Sequence, residues 1–182
     1  MLLVSCGDDH YIPKPRGYFR INLPAHKYQT FDTIFPYKFE YPEYSKITFD
    51  EYTRSGPFWL NIEYPGYKGK IHLSYKTVGQ TNLNNLIEDS RTMVYKHIPK
   101  ATGIKESIVT DPQSKVFGTV YFIEGRDVAS PFQFYVTDST HHFLRGALYF
   151  YTAPNNDSLQ PVIDFIIDDI DHLIGTLEWK DI

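Results

Sequence analysis

The chain has 182 residues, 42% of them hydrophobic and 22% charged, a balance that buries enough apolar surface to offset the entropy of ordering and excludes wholesale disorder. Its net charge of -4, with Lys and Arg scattered along the chain, supplies no electrostatic footprint for a phosphate backbone and argues against nucleic-acid binding. No run approaches the roughly 20 apolar residues of a membrane-spanning helix, and the single cysteine excludes an internal disulfide.

That cysteine, Cys6, comes first in chain order. It ends the run Leu3-Val4-Ser5 and precedes Gly7, which resembles a lipobox, where a signal peptidase cuts and the Cys receives a lipid. The competing reading is a small buried hydrophobe, yet a position so near the terminus falls in the least ordered part of most chains. Met1 to Ser5 is shorter than a basic n-region followed by an apolar stretch, so the expectation is a truncated or mis-assigned start. Residues 1–17 are read as truncated signal, lipobox-like Cys and extended tether. Pro13 and Pro15 hold this segment extended. Lys14, Arg16 and Arg20 interleave with Tyr18 and Phe19, so the strip serves either as a plain spacer or as a partner-docking surface.

Residues 18–182 read as one globular domain, because no linker interrupts them. The 13 Phe and 15 Tyr favour strands. Pro and Gly punctuation places strands near Tyr18 to Asn22, Tyr37 to Tyr41, Lys46 to Phe49, Phe58 to Tyr64 and Lys70 to Lys76. In the last of these Ile71, Leu73 and Tyr75 alternate with Lys70, His72 and Ser74, which puts His72 on the wet side. Thr81 or Asn82 caps a helix over Leu83 to Ile98, whose apolar face carries Leu83, Leu86, Ile87, Val94 and His97. Strands follow at Glu106 to Thr110, Val116 to Ile123, Phe132 to Thr137 and Phe143 to Tyr151, with turns short enough for antiparallel neighbours. A last helix, Leu159 to Leu177, is capped by Asn156, Asp157 or Ser158, has Pro161 in its first turn, and carries a stripe of Ile163, Ile166, Ile167, Ile170, Ile174 and Leu177. The fold class expected is α+β, an antiparallel sheet covered by two helices.

Two clusters invite a chemical reading. Asp164, Asp168 and Asp171, with Asp169 and His172 beside them, suggest a metal, but a straight helix cannot wrap oxygens around calcium, and a solvated acidic face is expected. His141 and His142 follow Asp138, Ser139 and Thr140, yet adjacent strand residues face opposite ways and no Gly-x-Ser-x-Gly elbow is present. Cys6 lacks an organised base, and the chain has no P-loop, dinucleotide-binding glycine run or paired-Cys zinc motif. The expectation is no enzyme, no catalytic or metal-ligating residue and no cofactor.

Pro13 to Ile21 just after the lipobox-like Cys, then Phe39-Glu40-Tyr41-Pro42, Phe58 to Ile62, His97 to Gly103 and Phe143 to Phe150 together resemble the gliding motility lipoprotein GldD family of Bacteroidetes. The resemblance implies a cell-envelope lipoprotein facing the periplasm and linked to gliding and the type IX secretion system. It also implies partners among other gliding motility lipoproteins and secretion components, and no known enzymatic activity. An envelope lipoprotein with an unrecognised small-molecule or hydrolytic site is the alternative. More loosely, two strand blocks each followed by a helix are similar to the Mog1 and PsbP sandwich.

Overall fold

A large antiparallel sheet organises the chain, whose computed structural model describes residues 21–49, 56–80 and 82–181. The elements in order are β1 (Tyr28–Phe31), β2 (Tyr37–Pro42), β3 (Lys46–Thr48), β4 (Leu60–Tyr64), β5 (Gly69–Thr77), α1 (Leu83–Tyr95), β6 (Gly103–Asp111), β7 (Val116–Glu124), β8 (Phe132–Thr137), β9 (His142–Phe150), α2 (Asn156–Gly175) and β10 (Glu178–Trp179). Seven strands lie side by side as β3-β4-β5-β9-β8-β7-β6, and a three-stranded sheet runs β1-β2-β10. The fold is mixed α+β with antiparallel sheets and two helices, as the residue pattern implies.

Local chemistry explains most joints. Lys68 takes a left-handed conformation between β4 and β5, closing the hairpin that Pro65 and Gly66 announce. Asp111 Oδ1 accepts the backbone N–H of Gln113 and Ser114 at the β6–β7 turn. The joint between the two strand blocks is the long β5–β9 ladder, from Gly69 opposite Phe150 to Thr77 opposite His142.

Strand alternation then builds two clusters on the two faces of the large sheet. On one face Leu73, Leu144, Leu148, Phe134 and Val136 pack with the Ile166 and Ile170 side of α2. On the other, Leu86 and Val94 of α1 pack with Tyr121, Tyr135 and Phe143. Strand β8 is buried along its whole length, because both faces are covered and both edges are paired.

Several boundaries differ from expectation. Ile21 and Asn22 lie outside any strand, whereas β1 and β10 carry too few apolar residues to register as strands by pattern and form because they flank β2. Asn82 is the α1 cap, its side chain accepting from Asn84 N at 2.9 Å, and the regular helix stops at Tyr95 before a 3-10 turn over Ile98–Lys100. The α2 cap position is Asn155. Asn156 instead turns inward and donates to the carbonyls of Gly125 and Val128, fastening the helix start to the β7–β8 loop. The helix therefore begins earlier than its apolar stripe, and Pro161 falls beyond the first turn.

Candidate functional site

Cys6 and the strip Lys14, Arg16, Tyr18, Phe19 and Arg20 lie outside the described residues. The described chain starts immediately after them, and its first stretch is fastened to α2. Ile21 and Leu23 pack against the larger core cluster, and the Tyr67 hydroxyl donates to Asn22 O at 3.2 Å. The His26 ring lies 4.4 Å from that of Phe165, centroid to centroid. Its Nδ1 is 2.8 Å from Asp169 Oδ1. Tyr44 Oη sits 2.8 Å from both carboxylate oxygens, and Tyr28 donates from 3.2 Å. Tyr28 also stacks on His172 at 3.5 Å, whose Nε2 is 2.7 Å from Glu40 Oε2.

Asp169 thus departs from the solvated acidic face expected of it. It is 1% exposed, while Asp164, Asp168 and Asp171 do face solvent. The reason is that α2 lies between the large sheet and the segment carrying His26, Tyr28 and Tyr44, so a second face of the helix is covered. Burial raises the Asp169 carboxyl above its ordinary value, against the pull of Tyr44 and His26. Burial and the Asp169 charge push the Tyr28 phenol up to about 12, which keeps it a hydrogen-bond donor. Among the described residues, no three His, Cys, Asp or Glu side chains converge as a metal site.

The two adjacent histidines separate. His142 opens β9, is buried, holds its Nδ1 2.8 Å from the Tyr75 hydroxyl and stacks on Trp179 at 5.1 Å. His141 stays exposed in the preceding turn, where its Nδ1 is 3.0 Å from Thr140 Oγ1. Asp138 Oδ1 accepts the backbone N–H of Thr140, His141 and His142 at 2.8–3.0 Å, and Oδ2 accepts the Thr140 hydroxyl at 2.8 Å. Burial alone would raise the Asp138 pKa, but the N–H groups of His142, His141 and Thr140 with that hydroxyl bring it down to about 2. The hydroxyl therefore lies between carboxylate and imidazole, the reverse of a nucleophile activated by an oriented base, and so acid a carboxyl is a poor base. These residues wall an open groove of about 450 Å³ together with Lys115, Trp179 and Lys180; the hydrogen bonds in it hold a turn.

That arrangement gives a measurable result. The folded Asp138 carboxyl titrates near 2 against an ordinary 3.8, so its stabilisation is in force above about pH 4 and is lost as the pH falls to about 2. Asp138→Ala is expected to cost about 2 kcal/mol at pH 7, with the gap to wild type closing below pH 3, measured by urea unfolding at each pH. A gap that does not depend on pH would contradict the assignment.

His72, expected on the wet side of β5, is half-buried, because α1 lies over that face of the sheet. It shares a cleft under the helix with Arg145, a residue that sequence reasoning passed over.

With this geometry in view, the family comparison is decisive: the model of the gliding motility lipoprotein GldD matches residues 8–179. The chain belongs to the gliding motility lipoprotein GldD family. No helix among the described residues is long and apolar enough to cross a membrane. No protein with a curated description matches the chain. Among solved structures, the solution structure of cyanobacterial PsbP (CyanoP) from Synechocystis sp. PCC 6803 is similar, with 11% identity and a TM-score of 0.51 over 88% of this chain and 97% of that one. At that identity the likeness concerns the fold alone, and it agrees with the PsbP-like sandwich expected from the two strand blocks.

Proposed function

We propose that the protein is a non-enzymatic envelope lipoprotein, anchored through a lipid on Cys6 and facing the periplasm, that acts as a scaffold or assembly factor of the gliding motility and type IX secretion apparatus. Residues 18–182 form its single domain in this reading. The observation that carries it is the Asp169 clamp. A tether pulled by a moving partner loads the segment that follows it, and here residues 26–44 are hydrogen-bonded and stacked onto α2 rather than left to peel. The family supplies the motility context. The strip Lys14, Arg16, Tyr18, Phe19 and Arg20 offers charge and aromatic area to other gliding motility lipoproteins and secretion components at low ordering cost, Arg and Tyr being frequent interface anchors.

Complementation of a deletion strain tests this. Cys6→Ala of the full-length precursor is expected to lose labelling by a fatty-acid analogue. Arg16→Glu with Arg20→Glu is expected to keep labelling, expression and melting temperature while impairing gliding, secretion and partner co-purification. Equal labelling of wild type and Cys6→Ala would remove the anchor, and full rescue by the double reversal would reduce the strip to a spacer.

A further inference from the structure

Helix α1 covers only part of its face of the large sheet. Leu86 and Val94 settle on the β7 and β8 side chains Tyr121 and Tyr135, and a cleft of about 210 Å³ remains between the helix and the β5–β9 ladder. Its volume equals that of roughly seven liquid waters. Trp59, Leu86, Met93 and Phe143 give it apolar walls, and Arg145 reaches into it.

Arg145 is held in an unusual way. It stands on β9 two residues before Ala147, and Ala147 lies directly opposite Gln133 of β8. The small alanine leaves room for the guanidinium to reach over it, where Nη2 donates to Gln133 Oε1 at 2.5 Å. Gln133 is 1% exposed, and its Nε2 has no hydrogen-bond partner. Continuing the same row, Ala147 is opposite His72 and His72 opposite Asn61. Asn61 is 4% exposed, with an unpartnered Oδ1. No described carboxylate forms an ion pair with Arg145, although Asp89 lines the cleft, together with Lys76 of the opposite charge.

A guanidinium does not deprotonate in proteins, so burying it without a counter-charge is costly. Burial pushes the Arg145 pKa down, with only the Tyr149 phenol opposing. An incoming anion removes that cost, and the planar fork with its remaining N–H groups matches a carboxylate. The apolar walls call for a short hydrocarbon tail rather than a bare inorganic anion.

We propose that the cleft under α1 binds a small organic carboxylate with a short apolar tail, its carboxylate on Arg145 and its tail against Trp59, Leu86 and Phe143. This role is independent of the tether, because the site and the strip share no residue.

The indole N–H groups report on it. Trp59 Nε1 donates to Tyr75 O at the cleft wall, while Trp179 Nε1 donates to Lys115 O in the other groove and, lining no part of the cleft, serves as internal control. The test is titration of the 15N-labelled chain with sodium phenylacetate. The Trp59 signal is expected to shift saturably with a Kd of about 0.1–5 mM while Trp179 stays fixed, and the neutral isostere phenylacetamide should bind about tenfold or more weakly. Arg145→Gln should lose the response. Because that variant could unfold, Met93→Glu, at a half-exposed position on the cleft wall, provides a second arm and should weaken phenylacetate several-fold by like-charge repulsion while leaving the melting temperature unchanged. Equal binding of phenylacetate and phenylacetamide, an equal Trp59 shift with inorganic phosphate, or no saturable shift would each overturn the proposal.

Discussion

Ile166→Asp is expected to abolish the folded state. Ile166 is fully buried, and its Cδ1 lies 3.1 Å from where Gly69 would carry a side chain, so the helix sits directly on the backbone of β5. Substitution removes a full side chain of hydrophobic burial, about 3 kcal/mol, and places a carboxylate in the larger core cluster, for a total above about 5 kcal/mol. That is a large share of the roughly 5–15 kcal/mol available to a folded chain. Ile166→Val should cost only about 1 kcal/mol. Urea unfolding followed by circular dichroism distinguishes the two, and Ile166→Val should keep the single transition expected of two clusters that share strand β8. A folded Ile166→Asp protein would show that α2 can lift off the sheet.

Asp169→Ala is expected to cost about 3 kcal/mol, because Tyr44, Tyr28 and His26 lose their common acceptor in a partly dry site. Asp169→Asn keeps one acceptor oxygen and should cost less. Asp164→Ala and Asp168→Ala, on the solvated face, should stay within about 0.5 kcal/mol of wild type. The loss should be local before it is global: amide exchange over residues 26–30 should accelerate in Asp169→Ala while exchange in β8 follows global stability. Unchanged exchange in the entry segment would sink the clamp and with it the mechanical argument for the anchor.

The pattern of this sequence made some parts of the fold legible and hid others for identifiable reasons. The isoleucines of α2 repeat at the helical period, so the helix and its stripe can be read directly. The same period held the missed signal for Asp169, which is four residues after Phe165 and four before Leu173, both buried. A row of neighbouring acids masked it. In β5 and β9 the alternation correctly separates two faces, but alternation cannot say whether the polar face meets water or a helix. His72 and Arg145 were therefore read as surface residues or passed over. The aromatic residues Tyr121, Tyr135 and Phe143 on that same face were the sign that α1 must lie there. Strand β10 is only two residues long, below what any periodicity can show, and exists because β2 offers it an edge. The pairing of β5 with β9 joins segments about seventy residues apart, a distance over which local pattern carries no information.

The strand order has a kinetic consequence. β2 is complete only when β10 pairs with it, Glu178 opposite Lys38 and Trp179 opposite Tyr37, and the Lys180 ammonium seals the junction on Asp32 and the Thr33 carbonyl. Strands β2 and β10, far apart in sequence, must therefore meet before β2 is finished, and the closing entropy for so long a loop comes before the contacts that reward it. Folding on the millisecond-to-second scale follows.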